Sequence, residues 1–228
     1  MAVTDSNSPT GLLQQGRSAD TLRGGVAWFV RRCAEIGLAL GVLIIAAPAM
    51  LATAVIIRLG TPGPVLFRQQ RIGLNGEVFW FWKFRTMYVD ARTRFPEWYA
   101  YRYTPGELAE LRFKVERDPR LTPQGRWLRA TSLDELPNFI NLLRGDIALV
   151  GPRPEIPEMR PYYQGDDLLK FSVRPGITGL AQVAGRGHLK FRETVDLDLK
   201  YVRTRSLRLD AWIVGRTAVH VVRGVGAF

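Results

Sequence analysis

Residues 36–57 contain no charged side chain, and this apolar stretch restricts the fold more than any other feature of the sequence. As a helix with a rise of about 1.5 Å per residue it would extend about 33 Å, enough to match a bilayer core of about 30 Å. Pro48 lies near its middle, where a proline removes a helix hydrogen bond and bends the axis. The sequence therefore predicts a membrane helix that is broken at Pro48.

Basic residues stand on both flanks of this stretch: Arg23, Arg31 and Arg32 before it, and Arg58, Arg68 and Arg71 after it. Because basic flanks favour the cytoplasmic side of a membrane, we expect a re-entrant helix over residues 26–60 that returns to the face it entered. A straight crossing helix with a tolerated proline is the alternative. Re-entry is favoured because the motifs that carry chemistry all follow the segment.

The rest of the chain divides at the ends of this helix. Residues 1–25 are rich in Ser, Thr, Gly and Gln and have no apolar period, so a flexible tail is expected there. Residues 61–228 are long enough for one domain with a hydrophobic core, placed on the cytoplasmic side of the membrane.

The chain of 228 residues has 32 Lys and Arg against 21 Asp and Glu, a formal net charge of +11. Such a charge indicates an anionic partner: nucleic acid, an acidic membrane surface or a phosphorylated substrate. The single cysteine, Cys33, excludes an internal disulfide, and His188 and His220 do not supply the spacing of a zinc site. Any bound metal is therefore expected to be a hard cation, magnesium before zinc.

The domain is expected to be α+β and dominated by helices. Residues 65–67 and 78–84 are rich in Val, Phe and Trp, and Asn75 with Gly76 suits a tight turn, so these segments predict a β-hairpin. Residues 98–103 are mostly aromatic, with one basic residue, Arg102, among them. They are typical of a membrane interface or a base-stacking surface, with core packing as the alternative.

Two further elements are readable near the end of the chain. Residues 147–150 are a short apolar run beside glycines and predict a buried strand. Residues 210–223 predict a basic amphipathic helix that carries Arg216, His220 and Arg223 on one side. This helix could lie in the membrane interface or pack its apolar side on the domain, and the membrane segment favours the interface.

Two adjacent carboxylates, Asp134 and Glu135, precede an apolar helical pattern in this basic protein. A helix is expected to begin near Asp134 and to end at Gly145. Ser132 and Glu135 have the spacing of a capping box, so the local sequence favours a helix cap over a catalytic pair. The two roles are compatible, because a helix start also presents the amides and the dipole that receive a phosphate.

Several cations could bind phosphates near this pair. Lys83 and Arg85 share one face of the second hairpin strand and could clamp a diphosphate, although charges on an edge strand also discourage pairing with other chains. Arg153 is held extended between two prolines, which lowers the cost of gripping a phosphate; a proline-rich surface turn is an equally good local interpretation. Arg174 opens a glycine-rich loop. Neither this loop nor the segment around Arg153 fits the Walker A or dinucleotide-binding pattern.

These motifs, taken in order, resemble the bacterial sugar transferase family, the monotopic phosphoglycosyl transferases that initiate lipid-linked glycan assembly, and in particular its exopolysaccharide-initiating members. The resemblance runs from about residue 28 to the C-terminus and is carried by the proline-broken segment and by residues 83–87, 118–120, 132–137, 145–154 and 174–179. One departure is Asn138, which stands where the family more often has Gln.

The resemblance implies transfer of a sugar 1-phosphate from a nucleotide diphosphate sugar, usually a UDP-sugar, to polyprenyl phosphate, with release of UMP. Asp134 would be the nucleophile, Glu135 its acid/base or positioning partner, and magnesium would touch Asp134 and the diphosphate. The substrate-binding candidates are Lys83, Arg85, Thr86, Asp118, Arg120, Arg153, Arg174, Gln182 and Arg186. The implied location is the cytoplasmic face of the bacterial inner membrane, in contact with lipid and without nucleic acid.

Two alternatives stay open at the level of sequence. In one, Asp134 acts as a general base in a direct transfer between the two substrates. In the other, the protein is a non-catalytic binder of a membrane surface or nucleic acid, and the carboxylate pair only caps a helix. The sequence discloses neither the sugar nor whether the protein is a homo-oligomer.

Overall fold

One long helix, α1 (Gly25–Gly60), carries Pro48 in its interior and begins the part of the chain that the structure describes. The computed structural model describes residues 25–112, 117–185 and 188–222, so the predicted tail over residues 1–25 lies almost entirely outside them. Helical structure continues through Pro48, because a proline can bend a helix without ending it. By length and composition the stretch Trp28–Gly60 could cross a membrane, and an 18-residue window of it has a mean hydropathy of 2.6.

Residues on both sides of Pro48 contact the rest of the protein. Before the proline, Ala39 is fully buried in a cluster with Phe81, Leu142 and Ile147. After it, Ile57 packs with Phe84 and Leu128. The surface between these two contacts is apolar and exposed, with Ile44 and Ile45 exposed by 72% and 82%. Such a surface is typical of a segment whose surroundings are apolar.

The predicted hairpin is present. Strands β1 (Leu66–Ile72) and β2 (Val78–Phe84) are antiparallel, and the connection uses positive φ angles at Asn75 (56°) and Gly76 (82°), as expected. The first strand is longer than residues 65–67 because its polar central residues also pair with β2. Those polar side chains obscured the strand pattern in the sequence.

A second, two-stranded sheet pairs β3 (Ala148–Val150) in parallel with β4 (Gly176–Thr178), which confirms the buried strand predicted at residues 147–150. The remaining helices are α2 (Ala91–Arg94), α3 (Pro105–Glu110), α4 (Pro123–Thr131), α5 (Asn138–Arg144), α6 (Leu180–Gly185), α7 (Phe191–Thr204) and α8 (Leu207–Val222). Short 3-10 turns cover Leu74–Gly76, Pro96–Tyr99, Leu133–Glu135, Pro157–Tyr162 and Gly165–Ser172. The described fold is thus helix-dominated α+β, as predicted.

Helix α8 packs one side on the domain and leaves the other exposed. Ile213 is fully buried against Val150 and Tyr201. On the outer side Trp212 is 52% exposed, and the Arg216 guanidinium lies 5.9 Å from the centre of its ring. Arg223, the third basic residue of the predicted helix, lies outside the described residues.

Candidate active site

The carboxylate pair lies in the 3-10 turn Leu133–Glu135, between α4 and α5. The expectation that a helix begins near Asp134 under a Ser132–Glu135 capping box is wrong. Ser132 has a φ of 58°, ends α4 and makes no side-chain cap bond, and α5 begins only at Asn138. An N-cap requires extended backbone, and the left-handed conformation of Ser132 cannot provide it. The Glu135 carboxylate is therefore not engaged in capping.

The two carboxylates have opposite surroundings. Glu135 Oε1 lies 2.6 Å from Lys83 Nζ and 3.6 Å from Arg153 Nη2. These cations outweigh the effect of burial and lower the pKa of Glu135 to about 2. Asp134 is only 6% exposed, and burial raises its pKa to about 6, with the Glu135 charge adding to the rise and Lys83 opposing it. Glu135 is thus a fixed anion, whereas Asp134 is a basic carboxylate.

Arg129, in the last turn of α4, is one of several cations shortly before the carboxylates in sequence, but it was not among the predicted substrate-binding residues. Its Nε donates to Thr86 Oγ1 at 3.3 Å, and its Nη1 lies 3.9 Å from an oxygen of Asp118. The Arg129 charge acts on Asp134 and lowers its pKa against the effect of burial. Thr86 and Asp118, which were predicted to bind substrate, thus hold this arginine. A signal was present in the sequence: Arg129 precedes Asp134 by five residues, on a short helix that ends at the turn.

The guanidinium of Arg120 is held by other side chains of the protein. Its Nε and Nη2 donate to the two oxygens of Asp118 at 2.8 and 2.7 Å, and its guanidinium stacks on Trp98 at 4.8 Å and on Tyr99 at 5.2 Å. These hydrogen bonds lower the pKa of Asp118 although burial would raise it. The predicted aromatic segment therefore covers Arg120, and further along it Tyr101 packs against the main core.

Arg85 is directed to a different part of the fold from Lys83. Its Nη1 and Nη2 donate to the carbonyl oxygens of Pro62 and Thr61 at 2.6 and 2.8 Å, in the loop that follows α1. Lys83 lies in β2, but the strand ends at Phe84 and Arg85 is the next residue. The side-chain period of two that would place both cations on one face therefore does not extend to Arg85. The structure does not bring them together as a clamp on the Glu135 side.

The loop that carries Arg153 is held at several points. The amide of Gly176 donates to the Pro152 carbonyl at 2.9 Å, and Arg71 Nη1 donates to the Pro154 carbonyl at 3.0 Å. A Cβ atom on Gly176 would collide with the backbone of Gly151, so the close approach of these two loops requires glycine.

Three predicted site residues remain: Arg174, Gln182 and Arg186. Arg174 Nη1 lies 3.7 Å from Glu35 Oε2 of α1. Gln182 is on α6, and within the described residues its buried side-chain amide atoms have no hydrogen-bond partner. Arg186 lies outside the described residues.

Together these contacts place three cations, Lys83, Arg129 and Arg153, close to the Asp134–Glu135 turn. The family model for bacterial sugar transferases matches residues 26–224. The chain belongs to the bacterial sugar transferase family.

Several curated relatives are similar over most of this chain. It is 37% identical over 203 residues to the UDP-glucose:undecaprenyl-phosphate glucose-1-phosphate transferase of Escherichia coli K12, which covers 86% of this chain and 40% of that protein. It is 42% identical over 166 residues to the galactosyl transferase CpsE of Streptococcus agalactiae, covering 72% of this chain and 36% of that protein. It is 34% identical over 207 residues to the exopolysaccharide production protein ExoY of Rhizobium meliloti, covering 90% and 89%. The chain thus spans about two fifths of the first two relatives and most of the third.

Proposed function

We propose that this protein transfers a sugar 1-phosphate from a UDP-sugar to polyprenyl phosphate and releases UMP, by way of a covalent phosphosugar intermediate on Asp134. The observation that carries this proposal is that the two carboxylates of the dyad, Asp134 and Glu135, have opposite surroundings. Lys83 and Arg153 balance the negative charge of Glu135, whereas Asp134 is buried and has a raised pKa. With its raised pKa, Asp134 is the more basic carboxylate of the two and therefore the better nucleophile. The names of the relatives support the substrate classes.

The first step forms a bond from an Asp134 carboxylate oxygen to the sugar-linked phosphorus. The bond from that phosphorus to the bridging oxygen breaks, and UMP leaves with the electron pair. In the second step an oxygen of polyprenyl phosphate attacks the same phosphorus, and Asp134 leaves as a carboxylate. No net proton is taken up, because both the attacking and the leaving groups are anions.

The cations around the dyad stabilise negative charge in both steps. Lys83, Arg129 and Arg153 offset the repulsion between an anionic nucleophile and an anionic diphosphate, and they stabilise the charge on the leaving UMP. Because the pKa of Glu135 is lowered, Glu135 stays ionised and holds Lys83 and Arg153 in place. We therefore assign Glu135 a positioning role rather than that of a general acid.

The residues fit magnesium only as an ion that accompanies the diphosphate. No group of three or more carboxylate, His or Cys ligands occurs within the described residues, and Glu135 is engaged by Lys83. Magnesium is commonly bound through one or two carboxylates together with substrate phosphates. Asp134 would supply the protein ligand, and the bound ion would neutralise phosphate charge.

Re-entry of α1 into the membrane is part of the proposal, and it places the catalytic domain on the cytoplasmic face of the inner membrane. Ala39 and Ile57, on opposite sides of Pro48, both pack on the domain that carries the dyad. A helix that crossed the bilayer would hold its ends in different compartments, so one folded domain could not contact both ends. A polyprenyl chain stays in the bilayer, and this anchoring keeps the active site at headgroup height.

The decisive experiment omits the acceptor. Detergent-purified protein is mixed with labelled UDP-sugar and magnesium, and we expect UMP in an amount equal to the enzyme, with the sugar-phosphate label retained on the protein. Asp134→Asn should give neither product. Asp90→Asn, which changes an exposed aspartate on the same chain, is the matched control.

Other outcomes separate the alternatives. Turnover with acceptor but no burst without it would refute the covalent intermediate and support direct transfer. Normal turnover by Asp134→Asn would refute any catalytic role of the dyad. Absence of turnover by the unmodified protein with UDP-glucose, UDP-galactose and their acetamido forms would count against the transferase proposal itself.

A further inference from the structure

A buried cluster of ionisable side chains lies behind the loop that carries Arg153. Its members are Glu155, Tyr163, Lys170 and Asp198, each at most 8% exposed. Lys170 Nζ lies 3.1 Å from Asp198 Oδ2 and 3.6 Å from Glu155 Oε2. The Tyr163 hydroxyl donates to Glu155 Oε2 at 2.7 Å and accepts from Lys170 Nζ at 3.2 Å.

This cluster sits inside the largest hydrophobic core of the described chain. Tyr163 packs there with Phe171 and Phe191, whose ring centres both lie 5.2 Å from its own. Burying one cation with two carboxylates is costly, and apolar side chains of similar volume are often as stabilising. Burial raises the pKa of Asp198 even though Lys170 lowers it. Stability alone is therefore a poor reason for the cluster.

One member of the cluster is joined directly to the active-site loop. Glu155 follows Arg153 by two residues, and its carbonyl accepts from the Ile72 amide at 2.7 Å. Its side-chain Oε1 accepts from the Ile156 amide at 3.0 Å. Arg153 and Lys170 also line the same crevice, between the loop and the core. The Glu155 side chain is thus the connection between the buried cation and the segment that presents Arg153 to Glu135.

We propose that Glu155 is a positioning residue, which uses its bonds to Lys170 and Tyr163 to fix the backbone from which Arg153 reaches the Asp134–Glu135 turn. Arg153 lies 3.6 Å from Glu135, so a small shift of its backbone changes where it meets a phosphate. The effect on catalysis rests on the proposed function. The effect on the loop does not.

The cluster offers a matched pair of variants. Glu155→Gln leaves Lys170 paired with Asp198, so one buried cation still faces one carboxylate while the ionic link to the loop is removed. Asp198→Asn leaves Lys170 paired with Glu155, so the link is kept. We expect Glu155→Gln to slow the UMP burst roughly tenfold and Asp198→Asn to change it less than about twofold, because a misplacement near 1 Å can have large kinetic effects.

A double variant separates positioning from a general loss of stability. If Glu155 acts through Arg153, then Glu155→Gln in an Arg153→Gln background should cause little further loss. Additive losses, equal losses in Glu155→Gln and Asp198→Asn, or an unchanged burst in Glu155→Gln would each overturn the proposal.

Amide hydrogen exchange of a peptide over residues 149–156 gives a readout that needs no turnover. We expect faster exchange there in Glu155→Gln and an unchanged rate in Asp198→Asn. If the unmodified protein shows no transferase activity, the proposed function fails, and the exchange experiment still decides whether Glu155 orders the loop. Equal exchange in the two variants would refute the positioning role.

Discussion

At the scale of single residues, Asp134 and Glu135 are adjacent in sequence but differ in protonation behaviour. Lys83 and Arg153 hold Glu135 ionised, whereas burial makes the ionised form of Asp134 costly. Active sites often contain such pairs, whose environments move the two pKa values apart. The arrangement implies that Asp134 lowers the stability of the folded protein at neutral pH in exchange for reactivity.

This conflict predicts the behaviour of Asp134→Asn. The folded-state pKa of Asp134 is raised above its unfolded value, so its favourable contribution is complete below about pH 4 and is lost as the pH rises through about 6. Asp134→Asn should therefore be more stable than the unmodified protein at pH 8, by roughly 1–3 kcal/mol, and this difference should shrink at pH 5. Thermal unfolding in detergent at both pH values measures it.

The control for that experiment is Asp90→Asn, in which the substituted side chain is 62% exposed. It should leave the unfolding temperature nearly unchanged at both pH values. An Asp134→Asn protein that unfolds below the unmodified protein at pH 8 would contradict the assignment of Asp134 as a buried, destabilising carboxylate.

Ser132 and Arg129 show why the local sequence gave only part of the site. The spacing of Ser132 and Glu135 fits a capping box, but the conformation of Ser132 is set by the end of the preceding helix. The place of Arg129 in the site could not be predicted from the sequence, because its contacts with Thr86 and Asp118 join residues far apart in the chain. Such contacts depend on tertiary packing, which residue spacing does not encode.

At the scale of elements, Arg32 joins α1 to α5. Arg32 Nη1 and Nη2 donate to the carbonyl oxygens of Leu142 and Leu143, each at 2.7 Å. These are among the last carbonyls of α5, where the negative helix end favours a cation, and the Leu142 carbonyl also accepts from the Gly145 amide at 3.2 Å. The sequence predicted only membrane-flanking charges at Arg31 and Arg32, and the structure adds this internal role for Arg32.

We expect Arg32→Gln to destabilise the folded protein by about 1–3 kcal/mol, because two hydrogen bonds from a charged donor are lost at a partly buried site. The measurement is thermal or denaturant unfolding in detergent. Cys33→Ser alters the neighbouring, exposed residue of the same helix and should have little effect. Equal stability of Arg32→Gln and Cys33→Ser would show that α1 does not depend on this contact.

The two strands of the hairpin differ in how well the sequence predicted them. Asn75 and Gly76 identified the turn, since few residues adopt positive φ angles, and β2 was readable from its apolar residues. Strand β1 was read too short because Arg68, Gln69 and Gln70 lie in its centre. Its pairing with β2 is decided by the register of the hairpin rather than by its own composition.

At the scale of the whole molecule, the sequence predicted a long apolar helix with a proline, and the structure adds that both of its halves pack on one domain. Composition could not show this, because a crossing helix and a re-entrant one have the same apolar content. The exposed side of α8, with Trp212 beside Arg216, is a second surface suited to headgroups. Together these surfaces would hold the dyad near the phosphates of the lipid.

Re-entry makes a prediction about the two ends of the chain. Because Cys33 is the only cysteine, Cys33→Ser gives a background in which single cysteines can be introduced. We expect Asp5→Cys, before the helix, and Glu77→Cys, in the exposed hairpin turn, to resist a membrane-impermeant maleimide added to intact cells. Both should react after the membrane is permeabilised, because a re-entrant helix leaves both segments in the cytoplasm. Labelling of Asp5→Cys from outside while Glu77→Cys stays protected would require a crossing helix, and the contacts of Ala39 and Ile57 with one domain could not both persist in the membrane.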